Sequence, residues 1–137
     1  MKKLFSLFLL IFSFSFLSAQ TETKTETMKV LTATANSLTI FSKSLEEKNN
    51  GVVEEPLKSE LIKTIGAIQS TRTEVQSLSP AEIEKKKNKI APLIKDLSSF
   101  NDNIANKGAQ EKSATLVASL FTKVEKLYKE ITGRKYK

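Results

Sequence analysis

The sequence predicts an all-α protein, an up-down-up-down four-helix bundle behind an N-terminal signal peptide. Three observations predict it. Four separate segments place apolar residues at steps of three and four, the spacing of one helix face. Asn49-Asn50-Gly51, Ser79-Pro80 and Asn106-Lys107-Gly108 stop the chain between those segments. Such stops favour folding back on itself over a coiled-coil oligomer. No run alternates apolar and polar residues long enough for a strand, and no Asn-Gly hairpin joins two such runs.

Residues 1–19 read as the signal. Lys2 and Lys3 give a positive start, and Leu4 to Leu17 is uncharged with five Phe and five Leu. Leu17-Ser18-Ala19 ends the run on a small residue, so cleavage leaves Gln20 as the new terminus. The run falls short of the roughly 20 residues that cross a bilayer. The cleaved chain is therefore expected not to span a membrane and to work in the periplasm or outside the cell. With no Cys in the chain, lipoprotein anchoring is not expected.

The 118 residues after Ala19 keep 20 of the 22 Lys+Arg and all 15 Asp+Glu, a net charge of +5. That length fits one domain. Without Cys, no disulfide holds it, so an apolar core or a ligand must do so. Without Cys or His, it has no zinc site of the usual kind and no Ser-His or Cys-His nucleophile.

Residues 20–27 form a polar, threonine-rich segment, TETKTET from Thr21, expected as a loose tail that frays into the first helix; residues 28–137 are the bundle domain. Met28, Leu31, Ala35, Leu38, Phe41 and Leu45 make the first stripe. The second helix begins near Pro56, where a missing amide suits the first turn. Its stripe is Leu57, Leu61, Ile65, Ile68, Val75 and Leu78, with a polar step at Arg72. Gly66 lies inside it, at a cost of about 1 kcal/mol relative to Ala, and points to close approach of a neighbouring helix.

Ser79-Pro80-Ala81-Glu82 is the sharpest local signal: Ser79 caps, Pro80 suits the first helical position, and Glu82 reaches back to complete a capping box. The third helix follows through Ile83, Ile90, Ile94, Leu97, Phe100 and Ile104, with a kink or break expected near Ala91 because Pro92 interrupts it. The fourth carries Val117, Leu120, Val124, Leu127 and Ile131, with Phe121 and Tyr128 beside them, up to Gly133.

Chemistry is sparse along these helices. Glu46-Glu47, Glu54-Glu55 and the Glu82/Glu84 pair lie one or two residues apart, a spacing that does not put two carboxylates on one helix face. They read as solvated charge. No phosphate loop and no calcium loop is present, so the protein is expected not to be an enzyme and to carry no metal.

Two basic clusters remain, Lys85-Lys86-Lys87 with Lys89, and Lys123, Lys126, Lys129, Arg134, Lys135 and Lys137. They read either as a solvated face or as attraction to an anionic partner. The aromatic residues sit on the core stripes rather than among these lysines, so no base-stacking platform forms and nucleic acid is not expected. Lys126 and Glu130 are spaced to pair along the last helix, whose late lysines also suit its negative end.

The exported precursor, the four stripes, a Met early in the first helix and a lysine-rich last helix together resemble the soluble periplasmic b-type cytochromes. Within the chain the likeness rests on Ile104-Ala105-Asn106-Lys107-Gly108 and on Leu120, Thr122 and Leu127-Tyr128-Lys129. In that family a Met from the first helix and a His from the fourth hold a haem. The resemblance places Met28 at the Met position and Tyr128 where the family has His, and the chain has no His at all. Two functions follow as expectations. The first is a non-catalytic binding or structural module, without cofactor, that meets a protein or an anionic surface as a monomer or small homo-oligomer. The alternative is a haem-binding electron carrier that uses Met28 and Tyr128.

Overall fold

A computed structural model describes residues 2–48, 50–107 and 113–137, and the side chains of residues 22–48, 50–104 and 114–137. The chain is all-helical, with no strand among the described residues. Its elements are α1 (Lys2–Lys48), α2 (Leu57–Ser77), α3 (Pro80–Lys85), α4 (Lys87–Lys107) and α5 (Ser113–Thr132).

The helix stops follow local chemistry. Asn50 and Gly51 adopt φ of 55° and 85° after α1, and Gly133 adopts 71° after α5. These left-handed conformations suit Asn and Gly because the Cβ penalty is small or absent. Asn49 and Gly108, which belong to two of the expected stops, lie outside the described residues. Ser79 caps α3: its hydroxyl accepts from the Glu82 amide while the Glu82 carboxylate accepts from the Ser79 amide at 2.8 Å.

Two expectations are corrected. The segment Thr21 to Thr27 is not a loose tail but part of α1. Thr27 is fully buried, and its hydroxyl donates to the Thr23 carbonyl at 2.7 Å. A threonine that returns its hydroxyl to its own helix leaves a methyl to pack, which is why a polar-looking stretch docks. The second correction concerns the third helix. Its break falls at Lys86, between α3 and α4, and Pro92 sits inside α4. Proline acts on the turn before it, where its ring crowds the carbonyl four residues back. That residue, Asn88, lies in the first turn of α4, just after the chain has turned at Lys86.

The predicted stripes form the core. Leu31, Leu38, Phe41 and Leu45 are buried from α1, and Leu61, Ile68 and Val75 from α2. Ile83, Ile90, Ile94, Leu97, Phe100 and Ile104 are all buried, as are Val117, Leu120, Val124, Leu127 and Ile131. Threonines complete the α1 and α2 faces. Thr34, Thr64 and Thr71 are fully buried, each donating to the carbonyl four residues earlier. Thr71 thus fills the step beside Arg72 that looked polar in sequence.

α1 packs against α2, α3 and α4, and α5 packs against α2 and α4. α4 runs in the same direction as α1. Glu22 and Thr23 share a groove with Lys87 and Ile90, Asn101 meets Thr34, and Ile104 lies beside Ser37 and Ser44. α2 runs opposite to α1, since Lys24 meets Leu78 while Ser42 and Glu46 face Leu61 and Ile65. α5 runs with α2: Lys63 sits over the Phe121 ring at 4.1 Å, and Arg134 reaches Glu74.

Candidate functional site at the basic end

The two lysine clusters, some forty residues apart in sequence, meet at one end of the molecule. The Lys86 ammonium donates to the carbonyls of Glu130 and Ile131, both at 2.9 Å, at the close of α5. A helix ends with carbonyls that lack intrahelical donors and carry partial negative charge, so a cation there satisfies both needs. Lys24 does the same for α2, donating to Gln76 and Leu78 carbonyls at 3.1 and 2.7 Å. Thr23 donates to Glu84, which fixes α3 on α1. Three helix ends and the start of α4 are thereby tied together.

Residues 22–29, 72–89 and 122–137 make up this end, and they hold thirteen Lys+Arg against seven Asp+Glu. Their net charge is +6, so the remainder of the chain after Ala19 nets −1. Several of the cations are engaged. Lys87 pairs with Glu84 at 3.7 Å, and Arg134 with Glu74 at 2.9 Å. Lys89 lies 4.0 Å from Glu130, so the expected pairing of Glu130 with Lys126 gives way to one across helices, set by the seating of Lys86 over the end of α5. Lys85, Lys126, Lys129, Lys135 and Lys137 are exposed and have no ion-pair partner among the described residues.

The tail after α5 is held rather than free. Tyr136 packs edge-on to Tyr128, with ring centroids 5.3 Å apart, and to Phe121 at 6.1 Å. Its hydroxyl lies 3.7 Å from where a Cβ on Gly66 would stand. The close neighbour of Gly66 is therefore the tail and not a helix. With Tyr136 half-buried against these rings and Arg134 paired, its sequence neighbours Lys135 and Lys137 stay exposed.

The acidic pairs do not converge on a site. Glu82 serves the capping box, and the hydrogen bonds from the Ser79 amide and hydroxyl hold its carboxyl below the ordinary carboxylate range. Ser59 does the same for Glu55 through its hydroxyl and amide. No group of three His, Cys, Asp or Glu side chains is placed to hold a metal among the described residues.

Met28 and Tyr128 occupy the same end of the molecule but are not brought together. Met28 is half-buried on α1 against the core, and Tyr128 is half-buried on α5 with its ring committed to Tyr136. α1 and α5 are not among the helix pairs that pack extensively.

The sequence reading missed Thr23 and Lys24, hidden in a stretch that looked like tail, and Tyr136 as an anchor. The signal was present: Thr27, Val30, Leu31 and Thr34 follow helical spacing once threonine is counted as half apolar. Among the described residues, no helix is long and apolar enough to cross a membrane. Comparison with known proteins adds no relative: no family model, no curated protein and no solved structure matches the chain.

Proposed function

We propose that the protein is an exported, non-catalytic helical bundle that attaches to an anionic surface through its basic end. In this reading residues 1–19 are removed as a signal, and α3 and α4 serve together as the third of four bundle members. The observation that carries it is the joining of residues 85–89 to the end of α5 through Lys86, which puts Lys85, Lys126, Lys129, Lys135 and Lys137 on one end. Clustered charge of one sign raises the local potential and attracts an opposite surface, far more than the same lysines dispersed.

The aromatic rings at this end support a surface rather than nucleic acid as the partner. Phe121 and Tyr128 each pack edge to face with Tyr136, which commits these rings to one another's edges rather than to a flat platform for bases. The test is cosedimentation of the exported protein with vesicles containing an anionic lipid, against neutral vesicles of the same size. Binding is expected on the anionic vesicles only. It should fade as added salt shortens the Debye length from about 10 Å at 0.1 M towards about 3 Å at 1 M. Equal binding to both vesicle types, or binding indifferent to salt, would contradict the reading.

A further inference from the structure

Residues 133–137 follow α5 with the sequence Gly-Arg-Lys-Tyr-Lys. Gly133 turns the chain through its positive φ of 71°, and its amide donates to the Lys129 carbonyl at 2.8 Å. The Arg134 amide donates to the Thr132 hydroxyl at 3.0 Å, which holds the turn. From there the segment runs back along the seam between α2 and α5. Arg134 meets Glu74 at 2.9 Å, and two residues later the Tyr136 hydroxyl stands beside Gly66, two turns earlier on α2.

The opposite end of the bundle differs. There Val52, in the loop between α1 and α2, is 57% exposed beside a groove lined by Leu61 and Ile65, and Ile62 at its border is 64% exposed. Those two apolar side chains stay in water, whereas the segment after α5 returns its one aromatic ring to the bundle.

We infer that Tyr136 is a positioning residue of the anionic-surface site, pinning this segment so that Lys135 and Lys137 carry the basic surface from the end of the bundle along the α2–α5 seam. The inference rests on the binding proposed above and adds the residue that arranges it. Lys63 already stands on that seam, its ammonium 4.1 Å from the centre of the Phe121 ring that Tyr136 meets edge-on. Cations gathered on one seam repel one another, so something must hold the segment down. The exposed pair of Arg134 with Glu74 contributes little to that. The half-buried ring, packed on two others, is the stronger tie. Order is what it supplies: a cation already fixed needs no further ordering when a surface approaches, and a loose one does.

Cosedimentation of variants of the exported protein with anionic vesicles tests the role. Tyr136→Ser keeps every charge and should bind about three- to tenfold more weakly, the scale of ordering one or two interface side chains. Tyr136→Phe keeps the ring and should bind as the wild type does. Lys135→Gln with Lys137→Gln should weaken binding, and Tyr136→Ser added to that pair should cost nothing further, because the ring then has no cation to place. Backbone amide relaxation by NMR should find residues 134–136 ordered in the wild type and mobile in Tyr136→Ser, with the helical circular dichroism spectrum unchanged. A wild type that binds no more tightly than Tyr136→Ser would overturn the inference alone, as would a segment that stays ordered in that variant. A Tyr136→Ser loss that persists in full without the two lysines would make the ring itself the contact and overturn it too. A wild type that ignores anionic vesicles would remove the surface reading, and this role with it.

Discussion

The two ends of the molecule are built by the same helices and are held in different ways. At the basic end, Lys24 and Lys86 cap the last turns of α2 and α5, Thr23 ties α1 to α3, and Arg134 ties the tail to α2. At the groove end, the described side-chain hydrogen bonds are local, as in Ser59 to Glu55, and apolar side chains are left in water. Cations at the first end thus have two tasks. Some satisfy helix carbonyls and fix the frame, and the remainder stand on that frame as a patch. Lysines in one run are divided this way, Lys86 inward and Lys85 outward.

The largest test of that contrast lies in the core beneath the basic end. Leu127 is fully buried on α5, and Leu127→Ala should cost about 2–5 kcal/mol. Ile62→Ala at the groove should stay within about 0.5 kcal/mol, as exposed substitutions do. Thermal or denaturant unfolding of both variants measures the difference. Comparable losses would mean that the groove end is packed as tightly as the other.

Next in size is Lys86→Met, which keeps most of the apolar stem and removes the cap on α5. A hydrogen bond to a charged group contributes about 1.5–3 kcal/mol when shielded, and the partial exposure of Lys86 puts the expected loss near the lower limit. Amide hydrogen exchange should speed up at the last turn of α5 and not at Leu57–Leu61. Uniform acceleration would show that Lys86 has no local role there.

Ser79→Ala should cost about 1 kcal/mol, the usual effect of losing an N-cap. Its pH dependence has a definite sign. The Glu82 carboxyl is lower in the folded chain than its ordinary value of 4.5. The contribution of its charged form is therefore present above that value and is lost as pH falls through the lowered one. The gap between wild type and Ser79→Ala should narrow on acidification over that window, as followed by unfolding at successive pH values.

The smallest expected effect is a gain. A Cβ on Gly66 would stand at ordinary contact distance from the Tyr136 hydroxyl, and Gly66 lies within α2 with no positive φ. Gly66→Ala should stabilise by about 0.5–1 kcal/mol through helix propensity and a less flexible unfolded chain. A loss in unfolding assays would place Tyr136 closer to α2 than the structure has it.

Much of the fold was legible because isoleucine, leucine and valine at steps of three and four mark a buried face directly. Every residue named on the stripes of the last two expected helices is buried except the flanking Phe121 and Tyr128, which are half-buried. Threonine was harder. Thr27 and Thr34 on α1, and Thr64 and Thr71 on α2, are each seven residues apart and fully buried, but their hydroxyls look polar until a helix supplies the carbonyl that accepts them. Residues 21–27 of α1 were read as tail for that reason. The break at Lys86 was displaced because proline marks the turn it disturbs only approximately. As for the basic end, each lysine cluster was visible alone. Their meeting was not, because it depends on α4 and α5 packing side by side, which no local pattern encodes.

Position of charge, rather than its amount, is the central claim, and one pair of variants separates the two. Lys126→Glu with Lys129→Glu alters the basic end, while Lys43→Glu with Lys48→Glu alters the other; each lowers the net charge by four. Cosedimentation with anionic vesicles at fixed ionic strength should show most binding lost in the first variant and most retained in the second. Equal loss in both, or retention in the first, would contradict the assignment of the basic end as the binding surface.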